Sequence, residues 1–241
     1  MSMLRRLIRG LTDIAFPGIC LSCRRKLGSG GDEYICAACG SGIKRNLPPF
    51  CSSCGRHLEK NNLNKNICPG CLRKNLSFDR AYSPCLYEGI AKKLIHEFKY
   101  RGKDHLGKPL SKIMIDFIRE YDLPVDYLDC IIPMPLHKTR LRERDFNQAE
   151  VLGRHIGAEF KKDLLTCLNR HRPTRTQTEL PPQQRFANVK GSFSVAKGAS
   201  LNKRNILLID DVLTTGATSS AAAACLKEAG ADIVFVLTLA S

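Results

Sequence analysis

The thirteen residues from Ile206 to Thr218, ILLIDDVLTTGAT, constrain this chain more than any other stretch of it. Four apolar residues, Ile206 to Ile209, make a short buried strand that delivers two adjacent carboxylates, Asp210 and Asp211, to its C-terminal end. Thr214, Thr215, Gly216, Ala217 and Thr218 follow, small residues that open a helix running through Ser219 to Glu228. Free backbone N–H groups at a helix N-terminus, hydroxyls beside them and a glycine permitting close approach form a phosphate cradle. The carboxylates just upstream are placed to hydrogen-bond vicinal hydroxyls of a ribose. Together these features fit a ribose 5-phosphate ligand. A buried strand, a turn and an ordinary Thr-capped helix, common in any α/β domain, is the simpler alternative, but it does not require all three features to coincide.

The string resembles the phosphoribosyl-diphosphate (PRPP) signature of type I phosphoribosyltransferases: hydrophobic strand, two acids, two small residues before Gly, then Thr. The resemblance implies that Asp210 and Asp211 hold the ribose 2- and 3-hydroxyls and that Thr214, Thr215, Gly216, Ala217 and Thr218 bind the 5-phosphate.

Eight of the twelve cysteines form C-x-x-C pairs: Cys20/Cys23, Cys36/Cys39, Cys51/Cys54 and Cys68/Cys71. Each pair brings two thiolates onto one metal through a tight knuckle, and two successive pairs complete a tetrahedral zinc site. The natural assignment is one zinc on Cys20, Cys23, Cys36 and Cys39 and another on Cys51, Cys54, Cys68 and Cys71. An interleaved pairing is less local, and disulfides are the competing reading. Gly40 and Gly55 directly follow knuckle pairs, where a left-handed turn is often needed. A full set of four thiolates leaves no open position for catalysis, so the metal is expected to be structural. Zinc thiolates and the lack of an export signal both point to a reducing cytoplasm.

Residues 1–80 are therefore expected to be a small double zinc-ribbon domain, with too little apolar material to fold without metal. Leu4, Leu7, Ile8, Leu11 and Ile14 precede it at helical spacing, and Arg5, Arg6 and Arg9 interrupt them, so the segment reads as a short amphipathic helix rather than a secretory signal. Residues 81–241 carry the longer apolar segments of an α/β domain, with Cys85, Cys130, Cys167 and Cys225 as scattered buried residues. The Ala221 to Ala224 run is expected to let its helix pack closely on the sheet. No apolar run approaches the ~20 residues that span a bilayer.

The formal net charge of +15 treats cysteine as neutral. Eight thiolates and two zinc ions bring it to about +11, still strongly basic. Residues 1–80 hold 14 Lys and Arg against 5 Asp and Glu. Such a surface attracts polyanions. Aromatic residues at 7%, without Trp, give few stacking platforms for single strands; Phe50, Tyr82, Tyr87, Phe98 and Tyr100 lie nearest basic residues.

A second constellation lies midway. Asp129 to Pro133 reads as a strand, followed by the loop PMPLHKTRLRERDFNQAE and a helix from about Asn147 to Phe160. Lys138, Arg140, Arg142 and Arg144 make the loop densely cationic, Asn147 is a plausible N-cap, and His137 reads as a surface residue. Ligands of an open parallel sheet bind beyond the carboxyl ends of its strands, where this loop would meet the pyrophosphate half of PRPP.

PLHKTRLRERDFNQAE also closely resembles the ComF competence family, as do LIHEFKYRGK (94–103), RPTRTQTEL (172–180), NVKGSF (188–193) and the acid-pair string. The resemblance covers nearly the whole chain. It implies an α/β, type I phosphoribosyltransferase fold, a mostly parallel sheet flanked by helices, behind a double zinc ribbon. It further implies that Arg140, Arg144 and Asn147 face pyrophosphate, that Phe146 packs beneath the loop, and that Thr176 and Gln177 belong to a mobile lid that excludes water. Lys99, Arg101 and Lys103 would contribute to the same anionic pocket. The implied chemistry is displacement of pyrophosphate from PRPP with magnesium, Arg140 and Arg144 stabilising the departing charge. No base-recognition element identifies the acceptor. The readings that follow are a phosphoribosyltransferase, a protein handling single-stranded DNA with the DNA-uptake machinery, and a PRPP-sensing interaction protein without turnover.

Overall fold

A computed structural model describes residues 19–27, 34–59, 66–100, 103–172 and 182–241, with the backbone alone for 182–185. The expected N-terminal helix, Arg101, Thr176 and Gln177 lie outside the described residues. In chain order the elements are α1 (Ala37–Ser41), α2 (Pro69–Leu72), β1 (Arg80–Tyr82), α3 (Gly89–Phe98), α4 (Gly107–Glu120), β2 (Cys130–Pro133), α5 (Lys138–Arg144), α6 (Gln148–Phe160), β3 (Asp163–Leu164), β4 (Leu168–Arg170), α7 (Pro182–Val189), β5 (Phe193–Val195), β6 (Ile206–Val212), α8 (Ala217–Glu228) and β7 (Val234–Ala240).

Five strands form one parallel sheet in the order β1-β7-β6-β2-β3, and β4 pairs with β5 in a separate antiparallel ribbon. A parallel strand is covered on both faces, so its sequence is an unbroken apolar run. Ile206, Leu207, Leu208 and Ile209 are all buried, between Cys130–Pro133 on one side and Val234–Leu237 on the other. The helices supply the cover. Ala91, Leu94, Ile95 and Phe98 of α3 are buried at helical spacing, as are Leu110, Met114, Phe117 and Ile118 of α4. Ala222 and Ala223 of α8 are buried, so the alanine run does lie inward. Cys85 and Cys130 are buried as expected, whereas Cys167 and Cys225 are half-buried.

The strand order contains a point where neighbouring connections diverge. From β2 the chain crosses outward to β3, and from β6 it crosses the other way to β7, although β2 and β6 are neighbours. Where adjacent connections diverge, the loops at the strand C-termini part and leave a cleft. The segments that follow β2 and β6 hold the cationic stretch and Thr214 to Thr218.

The cationic stretch is partly helical rather than all loop. His137 caps α5 by accepting a hydrogen bond from Thr139 N at 3.3 Å, and Asp145, in the left-handed region at φ 66°, ends it. Lys, Arg, Leu and Glu are good helix formers, and the density of charge in Lys138–Arg144 conceals that propensity. Asn147 caps α6 as expected, accepting from Ala149 N at 3.1 Å. Phe146 packs on Phe98, with ring centroids 5.6 Å apart.

The second cysteine cluster lies against the sheet edge. Ser53 O accepts from Ala81 N at 2.7 Å, so the knuckle covers part of the β1 edge. Buried Asn46 donates to Gly55 O at 2.8 Å and Ser83 O at 2.9 Å and accepts from His57 N at 3.0 Å. Gly55 has φ 71°, and a Cβ there would stand 2.2 Å from Ala81 O. Gly55→Ala is thus expected to cost at least about 2 kcal/mol, readable by thermal unfolding. Gly40, by contrast, sits inside α1 and needs no left-handed conformation. Among the aromatic residues near cations, Phe98 and Tyr82 are core, Phe50 packs on Phe117 and Tyr121, and Tyr100 is exposed.

Candidate functional site

The last residues of β6 carry the acid pair near the C-terminal end of the strand. Asp210 and Asp211 are both half-buried, and Asp210 Oδ1 accepts from Asp211 N at 2.8 Å. Lys99, the C-cap of α3, holds Asp211 Oδ2 at 2.7 Å. Burial, and then the negative charge of Asp211, push the Asp210 carboxyl from its ordinary 3.8 up to about 7. The Asp211 backbone N–H, Lys99 and Arg170 pull in the opposite direction without overcoming them. Asp210 therefore stands near half-ionisation at neutral pH, a state that an approaching cation would resolve toward the carboxylate.

Two basic side chains, Lys99 and Arg170, act on the pair directly. Arg170, at the end of β4, has its pKa lowered first by burial and further by the charges of Arg140 and Arg144, while Asp210 raises it. The fold thus brings Arg170 of β4 and Lys99, at the C-cap of α3, to the acid pair, and Arg140 and Arg144 of α5 to Arg170, from three separate segments. Arg144 Nη1 donates to Gln148 Oε1 at 2.8 Å, and Arg140 Nη1 meets Glu143 Oε2 at 3.1 Å. Asn147 donates Nδ2 to Met134 O at 3.0 Å, tying the segment after β2 to the start of α6. Lys103 pairs with Glu97, which also meets Arg24 of the first cysteine cluster at 3.4 Å. Sequence reasoning missed Arg170: it is one of 38 Lys and Arg residues, and nothing local marks it.

The loop after β6 carries the expected phosphate-binding residues. Gly216 adopts φ 82°, a conformation that glycine reaches without penalty, and starts α8 by accepting from Ser220 N at 2.8 Å. Ala217 N lies 3.4 Å from Thr215 Oγ1. The carbonyls of Leu213, Thr214 and Thr215 face basic side chains of the second cysteine cluster. Arg56 Nη2 donates to Leu213 O at 3.0 Å and to Thr214 O, and Lys74 Nζ donates to Thr215 O at 3.0 Å.

The eight knuckle cysteines form two sets, Cys20, Cys23, Cys36, Cys39 and Cys51, Cys54, Cys68, Cys71, with the sulfurs of each set within 4.8 Å of one another. The pairing is successive, not interleaved. Zn–S bonds of ~2.3 Å in a tetrahedron put sulfurs about 3.8 Å apart. Cys23 and Cys36 sulfurs are 3.7 Å apart, and so are those of Cys54 and Cys68. Backbone N–H groups of Cys36 and Cys68 donate to Cys20 Sγ and Cys51 Sγ at 3.4 and 3.3 Å, support that a thiolate needs. Both sets are zinc-binding ribbon sites.

The double zinc ribbon domain family matches residues 11–72. Competence protein F of Haemophilus influenzae is 29% identical over 229 residues, covering 92% of this chain and 96% of that protein. The chain is thus similar over most of its length to curated competence proteins. Competence protein ComFC of Bacillus subtilis is 29% identical over 206 residues, 83% of this chain and 80% of its own. DNA utilization protein YhgH of Escherichia coli K12 is 28% identical over 232 residues, 94% of this chain and 98% of its own. Adenine phosphoribosyltransferase from Leishmania donovani superimposes with a TM-score of 0.34 at 15% identity, covering 55% of this chain and 65% of that one. A likeness that distant adds nothing to the strand order and register, which carry the fold. No helix among the described residues is long and apolar enough to cross a membrane.

Proposed function

We propose that this ComF relative binds PRPP in the cleft beyond β2 and β6 and serves DNA uptake in the cytoplasm, handling single-stranded DNA. The observation that carries the ligand is the convergence on β6. The acid pair at the end of β6, with the Gly216 loop following it, lies within charge range of Arg170, which in turn lies within range of Arg140 and Arg144. In this reading Asp210 and Asp211 accept the ribose hydroxyls, Thr214 to Thr218 take the 5-phosphate, and Arg140 and Arg144, with Asn147 beside them, meet pyrophosphate. Arg170 and Lys99 extend the cationic wall. Zinc thiolates require the reducing compartment. The names of the relatives, competence and DNA utilization proteins, and the net charge of +15 support the nucleic-acid role.

Magnesium suits the site, because two adjacent carboxylates offer hard oxygen donors, and a divalent cation would offset the burial and mutual repulsion that raise the Asp210 pKa. Bound with PRPP it would neutralise charge on the pyrophosphate. The side chains of the chain then do the rest. Arg140 and Arg144 stabilise negative charge as it gathers on the departing pyrophosphate, and Asp210 and Asp211 face the positive charge that develops on the ribose.

The test is calorimetric titration of PRPP with magnesium into zinc-loaded protein. Magnesium-dependent binding is expected, and no heat at millimolar PRPP would overturn the reading and make single-stranded DNA the next ligand. The pyrophosphate assignment has its own readout. Arg140→Gln with Arg144→Gln should weaken PRPP by roughly 10- to 100-fold, the worth of one or two charged hydrogen bonds, while ribose 5-phosphate affinity stays unchanged.

A further inference from the structure

The second ribbon does more than dock on the sheet. Arg56 follows Cys54 in sequence by two residues and Lys74 follows Cys71 by three, so both cations ride on knuckles of one zinc site. Between them they take the carbonyl oxygens of three consecutive residues, Leu213, Thr214 and Thr215. Leu76 and Phe78, just beyond the ribbon, stand 3.4 and 3.6 Å from where a Cβ on Gly216 would lie. Ser77 N donates to Ser220 Oγ, in the first turn of α8, at 2.9 Å. The described contacts of the first ribbon go elsewhere, from Arg24 to Glu97 and from Lys93 of α3 to Ser22 O.

The geometry of the peptide unit gives these contacts a consequence. In a trans peptide the carbonyl of one residue and the N–H of the next point in opposite directions. Oxygens of Leu213, Thr214 and Thr215 fixed toward the ribbon turn the N–H groups of Thr214, Thr215 and Gly216 away from it. Three successive donors aimed to one side are what an anion requires. A loop left to itself loses backbone entropy when it orders around a phosphate, and a loop already held has lost it before the ligand arrives.

We infer that Arg56 and Lys74 are positioning residues through which the second zinc ribbon holds the phosphate loop in its anion-accepting form. Metal occupancy at Cys51, Cys54, Cys68 and Cys71 and anion affinity at Thr214 to Thr218 are then reciprocally coupled, since each ligand favours the same arrangement. The inference rests on the PRPP reading for its ligand but not for its mechanics.

The experiment compares zinc-loaded wild type, the Arg56→Met, Lys74→Met double variant, and Lys44→Met. Lys44 pairs with Glu88 at the exposed surface, so its loss tests net charge alone. Hydrogen exchange at Leu213 to Ala217 should accelerate by roughly tenfold in the double variant, with β7 unchanged. Affinity for both PRPP and ribose 5-phosphate should fall by roughly tenfold, because both carry the 5-phosphate. Saturating PRPP should slow release of one of the two zinc ions to a chromophoric chelator in wild type, by roughly threefold or more, and not in the double variant. Unchanged exchange in the loop, or an equal loss of affinity in Lys44→Met, would overturn the inference. If wild type binds neither ligand, the PRPP reading fails and loop exchange alone decides the coupling, faster rates supporting it and equal rates refuting it. Should the double variant lose its metal or its fold, Arg56→Lys, which keeps the charge but not the forked donor, is expected to show intermediate loop exchange, and wild-type rates in it would count against the inference.

Discussion

Asp210→Asn with Asp211→Asn is expected to weaken PRPP binding by roughly 100-fold or more while the chain stays folded and keeps its zinc. Each carboxylate would accept from a ribose hydroxyl, and hydrogen bonds to a charged acceptor are worth about 1.5–3 kcal/mol. Asparagine keeps the shape, and its Oδ1 can still accept from Asp211 N as Asp210 does now. The fold does not need the charges; Asp210 is held against its own ionisation by burial and by its neighbour. Retained affinity in the double variant would remove the acid pair from the site.

The single variant Asp210→Asn carries the sign of that burial. The native carboxyl titrates at about 7 against an ordinary 3.8, so between those values the native state binds more protons than the unfolded chain. Stability of the wild type therefore falls as pH rises through that window, and the full penalty is present above about pH 7. Asparagine has no such penalty. Its advantage over wild type should widen by about 1–2 kcal/mol between pH 5.5 and pH 8.5, read from urea unfolding. The range stops at about pH 5.5 because thiolate sites give up zinc in acid. In wild type, affinity for PRPP with magnesium should rise with pH toward 8, with proton release detectable in buffers of different ionisation heat. A stability difference flat across that range would mean that Asp210 ionises as an ordinary carboxyl.

The elements legible in the sequence are those encoded by short-range pattern. Ile206 to Ile209 read as a buried strand because a parallel strand covered on both faces has no polar alternation, and the structure extends it through Asp210 and Asp211 to Val212. The cysteine pairs read as two sites because knuckle spacing is itself the geometry, and Asn147 read as a cap because amide side chains at that position satisfy free N–H groups. What stayed hidden is what the chain brings together from far away. Arg56 lies 157 residues before Leu213 and Lys74 lies 141 before Thr215, and no window of sequence joins them. Arg170 reaches the acid pair only because β4 ends there. Helix α5 was masked by its own charge, and Gly40 by its likeness in position to Gly55. The phosphoribosyltransferase and ComF resemblances supplied roles for Arg140 and Arg144 that spacing alone does not.

Stripping zinc is expected to do more than unfold a detachable ribbon. Structural zinc contributes about 10–16 kcal/mol to folding in isolated fingers, because the site does not exist in the unfolded chain. In this protein Cys51, Cys54 and Cys71 belong to the same continuous core as Ile43, Leu58, Phe78 and the central strands. Asn46, Ser53 and Arg56 extend that connection by hydrogen bonds to Ser83, Ala81 and Leu213. Losing the second metal should therefore loosen β1 and the Leu213–Thr215 segment along with residues 1–80. A loss of roughly 5 kcal/mol would lower the melting temperature by about 10–20 °C for a chain of this size. The two sites should differ. Cys23 is exposed, whereas Cys51, Cys54 and Cys71 are buried. Cys54→Ser with Cys71→Ser should consequently lower the melting temperature more than Cys23→Ser with Cys39→Ser, and only the former should abolish PRPP binding. Equal effects would separate the second ribbon from the ligand site, and metal analysis near zero in folded, ligand-binding protein would end the zinc reading itself.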